Sequence, residues 1–232
     1  MSDDSNVATL APPPVATNRP SYGFAPSVVM EVDSGSTQAS AIRAVRTHVM
    51  AQHINHGRRA LAICGPNKGV GCSFVAANLA VALSQIGVKT LLIDADLRNP
   101  TLDSLIRPPH TPLGLSGCLR SPDQPFGASI DEGVLPNLSI IYAGQPAANA
   151  HELLGGDRFK ALMNFCMREF EATIVDTPPA NASTDARRIG GVVGYSLIVM
   201  AKDKTFVKDV KTLMHELKSD GCTPIGTVLN QG

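Results

Sequence analysis

The chain has 232 residues, the length of one α/β domain of about 200 residues with a tail. Twenty basic side chains balance twenty acidic ones, so no bulk charge suits nucleic acid or an anionic surface. Five scattered cysteines, at 64, 72, 118, 166 and 222, form no C-x-x-C pair, which argues against zinc and for a reduced, cytosolic setting. The amino terminus lacks the apolar core of a signal peptide, and no apolar run approaches the ~18 residues of a membrane span. A soluble, cytoplasmic protein is expected.

In chain order, the first 30 or so residues are rich in Pro, Ala and Ser, with Pro12 to Pro14, Pro20 and Pro26 breaking any period. They read as a flexible tail or docking arm, and the folded domain is placed at 36–232 after a tail of 1–35. From Thr37 the pattern turns helical, with Ala41, Ile42, Val45, Val49 and Met50 in one stripe and Arg43 and Arg46 beside it, until Gly57. Residues 60–64 read as a short apolar strand, 65–73 as a glycine-broken turn, and the apolar stretch to Ser84 as a helix. Residues 89–98 predict a buried strand ending in Asp94, Asp96 and Arg98. Further strands are expected at 138–143, 172–176, 196–201 and 225–229, with helices at 157–170 and 207–219. Strand and helix alternate, which predicts one doubly wound, mainly parallel sheet with helices on both faces.

The turn at 65–73 has the layout of a phosphate-binding loop, where backbone N–H groups and a helix N-terminus converge on an anion. Gly65, Asn67, Lys68, Gly69, Val70, Gly71, Cys72, Ser73 and Phe74 are its candidate nucleotide-binding residues, with Asn230 on the closing strand. Cys72 stands where the G-K-[ST] ending requires lysine. In open α/β sheets ligands sit at the carboxyl ends of strands. There Ser73, Asp94 and Asp176 are candidates for a magnesium ion. Asp94 or Asp96 is a candidate to orient or deprotonate a nucleophile.

These residues resemble the bacterial tyrosine kinases of capsule and exopolysaccharide export, P-loop ATPases of the deviant-Walker group. Residues 92–100 are similar to that family's second Walker motif and 174–179 to its Walker B. Gly114-Leu-Ser116, Ala143-Gly-Gln-Pro, Asn149-Ala-His-Glu-Leu-Leu154 and Gly226-Thr-Val-Leu-Asn230 resemble its later stretches, so the likeness covers roughly 37–230. It implies ATP and Mg2+ as cofactors. It also implies a membrane-embedded polysaccharide co-polymerase as partner, recruitment to the inner membrane, a homo-oligomer and no nucleic acid. The family's subunit-joining helix motif, E-x-x-R-x-x-R, is matched by Arg43 and Arg46, with Ser40 at the glutamate position; on the residues alone the two arginines equally suit a solvated face.

The family's loop lysine is absent, and the tyrosine cluster that many members autophosphorylate is not found, since only Tyr22, Tyr142 and Tyr195 occur. Losing a charge-assisted hydrogen bond costs about 1.5–3 kcal/mol in binding. Turnover is more exposed, because charge builds up in the transition state. Lys68 is a candidate for a replacement charge, or simply a solvated loop lysine. Cys72, at a helix N-terminus, is expected to have a lowered thiol pKa, which would suit a redox-sensitive role. Three functions follow: an ATP-binding partner of a polysaccharide co-polymerase governing chain length and export, a non-catalytic scaffold of the same fold, and a partitioning ATPase. Asp96-Leu-Arg98 and residues 149–154 favour the first.

Overall fold

The computed structural model describes residues 21–231, so the tail reading of residues 1–20 lies outside the described residues. The elements run in the order β1 (Gly23–Phe24), α1 (Val29–Val32), α2 (Thr37–Gln52), β2 (Ala60–Cys64), α3 (Cys72–Ser84), β3 (Thr90–Asp94), α4 (Leu102–Leu105), β4 (Ile106–Arg107) and α5 (Gly114–Arg120). There follow β5 (Asp131–Leu135), β6 (Leu138–Ile141), α6 (Ala150–Gly155), α7 (Asp157–Glu169), β7 (Ala172–Asp176), α8 (Asp185–Val193), β8 (Tyr195–Ala201), α9 (Val207–Ser219) and β9 (Thr223–Asn230). Among the described residues these strands build a seven-stranded sheet, β5-β6-β3-β7-β2-β8-β9, and a small β1–β4 pair. Every neighbouring pair in the large sheet is parallel except β5 with β6. The expected doubly wound fold is the one observed.

Strand composition explains the layering. β2, β3 and β7 are buried at every position, as a parallel strand covered on both faces must be. One apolar core lies on the α3 face and a second on the face covered by α7, α8 and α9. α3 is buried from Val75 to Ser84, apolar nearly all round, because the sheet covers one side and α1 and α2 cover the other.

That outer cover changes the reading of the amino-terminal stretch. Residues 21–35, expected within a flexible tail, carry β1 and α1, and Val28, Val29 and Met30 are buried in the core. The hold is polar as well as apolar. Asn78, fully buried on α3, accepts from Met30 N–H (3.1 Å) and donates to the carbonyls of Ser27 (2.9 Å) and Phe74 (2.9 Å). Gln85 donates to Met30 C=O at 2.8 Å. The stripe on α2 faces the core as expected at Ile42, Val45, Val49 and Met50, with Ala39 buried beside it, whereas Ala41 faces water. Proline content marked the segment as unable to form regular structure; it did not register that α3 needs an apolar lid.

Asn78→Ala removes the acceptor of a buried N–H and leaves a carbonyl unmatched, and is expected to destabilise the fold by about 1–3 kcal/mol. Urea unfolding measures that loss, and chymotrypsin should cut at Tyr22 or Phe24 faster. An unchanged midpoint with unchanged cleavage would show that the segment is held by other means.

Candidate functional site

Sheet order brings the expected groups together. β3, β7 and β2 are adjacent, and Asp94 and Asp176 are register partners across β3 and β7. The carboxyl ends of these strands and the start of α3 therefore share one corner. The loop between β2 and α3 turns on Gly71, whose φ of 97° favours glycine, and any side chain there would collide with the Asn230 amide. Asn230 in turn donates to Val70 C=O at 3.1 Å, stapling the loop to the end of β9. A cavity of about 400 Å³ opens over the loop, within the range of small-molecule sites. Asn67, Lys68, Gly69, Val70, Gly71, Cys72, Ser73, Phe74 and Asp96 line it. Gly65, Asp94 and Asp176 lie outside that lining, and Asn230 enters through its bond to the loop.

The carboxylates are in unlike surroundings. Asp94 is fully buried and accepts backbone N–H groups of Asp96 (3.1 Å), Thr101 (3.2 Å) and Leu102 (3.1 Å), so it organises the segment after β3. Asp96 accepts from Arg98 N–H (3.2 Å) and Asn99 N–H (2.9 Å) at the cavity wall. Asp176 is 1% exposed, and neither of its carboxylate oxygens has a hydrogen-bond partner. The Ser73 hydroxyl lies near enough to favour the ionised form of Asp176 without completing a hydrogen bond to it. Burial dominates all three. It raises Asp96, pushes Asp94 up to about 7 against the pull of its three amides, and holds Asp176 well above the usual carboxylate range with the Asp94 charge adding to the rise.

Two orphaned oxygens on a buried carboxylate, beside a serine hydroxyl at a helix start, fit a hard divalent cation such as magnesium. Among the described residues no group of three or more His, Cys, Asp or Glu could cage a metal. Magnesium does not need one, since it takes one or two carboxylates and completes its shell with water and phosphate oxygens.

Cys72 behaves differently from the expectation. A Cβ on Gly65 would sit 2.6 Å from its sulfur, so the thiol packs inward against the root of the loop. Burial, then the nearby Asp176, pushes its pKa well above the usual thiol value. The helix N-terminus does not overcome that desolvation, and the redox-sensitive reading is corrected. Lys68 is exposed on the loop, and its charge reaches Asp96, where it favours the carboxylate.

Thr101, Asp185 and Arg188 had no part in the sequence reading, whereas Arg98 and His151 stood within its motifs. The Thr101 hydroxyl donates to Ser73 Oγ at 2.8 Å, tying the segment after β3 to the first turn of α3. Arg98 Nε donates to the buried Asp185 at 3.4 Å, and His151 Nδ1 lies 3.2 Å from the same carboxylate while its Nε2 meets Arg188 at 2.8 Å. The acid at 185, nine residues after Asp176 and opening a helix, was the available signal. Away from the cavity, Arg43 donates to Ser34 C=O, Arg46 to Ala82 C=O (3.3 Å), and Ser40 to Ser36 C=O (3.2 Å), so all three bond within the chain. Tyr142 is buried with its hydroxyl on Ile106 C=O (2.9 Å), and Tyr195 packs under Arg58. No helix among the described residues is long and apolar enough to cross a membrane.

With this geometry in place, comparison with known proteins is specific. The profile of the CobQ/CobB/MinD/ParA nucleotide binding domain matches residues 61–231. A putative tyrosine-protein kinase, CapB of Staphylococcus aureus, is 30% identical over 196 residues, covering 84% of this chain and 85% of CapB. The tyrosine-protein kinase etk of Escherichia coli K12 is 32% identical over 202 residues, 87% of this chain but 28% of that protein; beside such longer relatives the chain spans about a quarter of their length. The solved kinase domain of Escherichia coli ETK superposes with a TM-score of 0.82 at 31% identity, over 89% of this chain and 80% of that one. The chain therefore belongs to the CobQ/CobB/MinD/ParA nucleotide-binding family, within its branch of bacterial tyrosine-protein kinases.

Proposed function

We propose that the protein binds ATP with magnesium and acts as a kinase-like partner of a membrane polysaccharide co-polymerase, in exopolysaccharide chain-length control and export. Its relatives' names and the site support this reading, and one observation carries it: the unmatched Asp176 carboxylate beside Ser73 at the foot of a phosphate-binding loop. The backbone amides of 67–71 and the N-terminal dipole of α3 cradle the phosphates. Ser73 and Asp176 hold the metal, whose charge offsets that of the phosphates when bound. Asp94 stays on its three amides and fixes the loop that carries Asp96. Asp96, with its raised pKa and its place on the cavity wall, is the group suited to take a proton from an incoming hydroxyl. Lys68 supplies a mobile positive charge near it. The protein works in the cytoplasm, brought to the inner membrane by its partner, and Arg43 and Arg46 join copies once released from their carbonyls.

Nucleotide turnover and autophosphorylation should be measured in the natural protein, Cys72→Lys and Lys68→Ala. A lysine at 72 restores a charge-assisted contact to the transition state, so turnover should rise at least about tenfold. Lys68→Ala should lower it by a similar factor. No Mg–ATP binding at millimolar nucleotide, with or without the membrane partner, would end this reading.

The inward packing of Cys72 favours a second reading, a non-catalytic scaffold in the same pathway. Under it Asp96→Asn leaves polymer output unchanged, whereas the catalytic reading predicts a large loss.

Proton linkage gives an independent check. Because Asp94 and Asp176 are raised in the folded state, the metal-free fold binds protons that the unfolded chain releases near pH 4. The Asp94 contribution to stability is complete below about pH 4 and is lost as pH rises through about 7, and that of Asp176, whose carboxyl is also raised, is lost in the same direction. Magnesium replaces those protons, so it should raise the Tm more at pH 8 than at pH 6. Asp176→Asn should abolish most of that difference, and a magnesium effect equal at both pH values would count against the metal site.

A further inference from the structure

The turn between β8 and α9 leaves a large apolar surface in water. Phe206 is 75% exposed and Val207 67%, the two most exposed large apolar side chains among the described residues. Leu229 is 51% exposed at the same end of the sheet. Its neighbour Val228 packs into the core on the α3 face, so strand alternation puts Leu229 on the opposite, α9 face. Around this corner stand Lys202 and Lys204 in the turn and Lys208 and Lys211 on the first turns of α9, all exposed. None of the four makes an ion pair among the described residues, and the acidic groups interspersed with them are Asp203 and Asp209. The turn is firmly built. Ala201 N–H donates to Thr205 Oγ1 (3.0 Å), Thr205 N–H to Ala201 C=O (3.1 Å) and Lys202 N–H to Asn230 C=O (2.8 Å), and Asp203 closes it with a φ of 60°.

We propose that this corner docks on an anionic bilayer surface, with Phe206 and Val207 entering the interfacial layer and the lysines meeting headgroups. Charge complementarity decides between a membrane and a protein partner. Lys202, Lys204, Lys208 and Lys211 stand exposed around the two apolar side chains with no ion pair among the described residues, the array that a layer of anionic headgroups meets. Phe206 and Val207 project from the surface, so a medium that deforms around them is what covers them. The balanced charge of the whole chain does not oppose this, since screening over about 8 Å leaves the nearby lysines as the charges a headgroup meets. Attachment is peripheral and reversible, and it does not depend on nucleotide turnover.

Vesicle sedimentation of the full chain tests it. The protein should pellet with vesicles containing phosphatidylglycerol and stay in solution with pure phosphatidylcholine, and added salt should release it. Lys204→Gln and Lys208→Gln should each weaken partitioning about fivefold, and Phe206→Ser about tenfold or more. All three positions are exposed, so an unchanged Tm shows that the variants fold. Equal pelleting with both lipids, no pelleting, or variants that pellet like the natural protein would overturn the proposal. So would variants that keep vesicle binding but lose a membrane protein partner in detergent, which would assign the corner to a protein.

Discussion

Two buried carboxylates stand side by side at the ends of adjacent parallel strands, Asp94 on β3 and Asp176 on β7, as register partners. Burial penalises each charge, and the Asp94 charge adds to the rise at Asp176. The fold relieves one of them from within: Asp94 collects three backbone amides, and in doing so shapes the segment that presents Asp96, Arg98 and Thr101. It relieves the other far less, through the nearby Ser73 hydroxyl and Thr177 amide alone. Asp176 keeps two bare oxygens, with Ser73 alongside, and a structure rarely tolerates that without a ligand to complete it. The architecture around the cavity follows from this asymmetry between neighbours.

The loop over the carboxylates depends on equally close packing. Gly71 leaves room for the Asn230 amide, and that amide fastens the loop by Val70 C=O. Cys72 occupies the step where a long cationic side chain would extend toward phosphate. Its short side chain packs toward Gly65 instead and stays partly buried at the cavity wall. Replacing a solvated ammonium by a packed thiol exchanges an electrostatic contact for a small gain in core, which is why binding and turnover need not respond alike. The backbone amides and helix dipole are unaffected by the exchange.

The amino-terminal cover links this corner to the rest of the chain. β1 pairs with β4, which follows α4 and the Asp94-anchored segment, while Ser27 and Met30 hang on Asn78 in α3. Both elements that frame the cavity are thus braced by residues 21–35. The same cover accounts for α3 being apolar on nearly every side.

The sequence alone determined the alternation of elements, the parallel sheet and the three chemical groups expected at the carboxyl ends of its strands, because apolar strand runs and glycine-broken turns are local signals. It also carried the resemblance that the comparisons bear out, since short motifs at 92–100 and 174–179 are contiguous in the chain. What only the tertiary structure decided depends on burial and on partners far apart in the chain. The folding of residues 21–35 onto α3 is one case, since the proline-rich composition of the amino-terminal stretch as a whole says nothing of the surface awaiting it. The thiol of Cys72 is another: a helix N-terminus lowers a pKa and desolvation raises it, and only packing against Gly65 shows which prevails. The different fates of Asp94 and Asp176 are a third, because which carboxylate meets the amides of 96, 101 and 102 is settled by the path of the backbone in space.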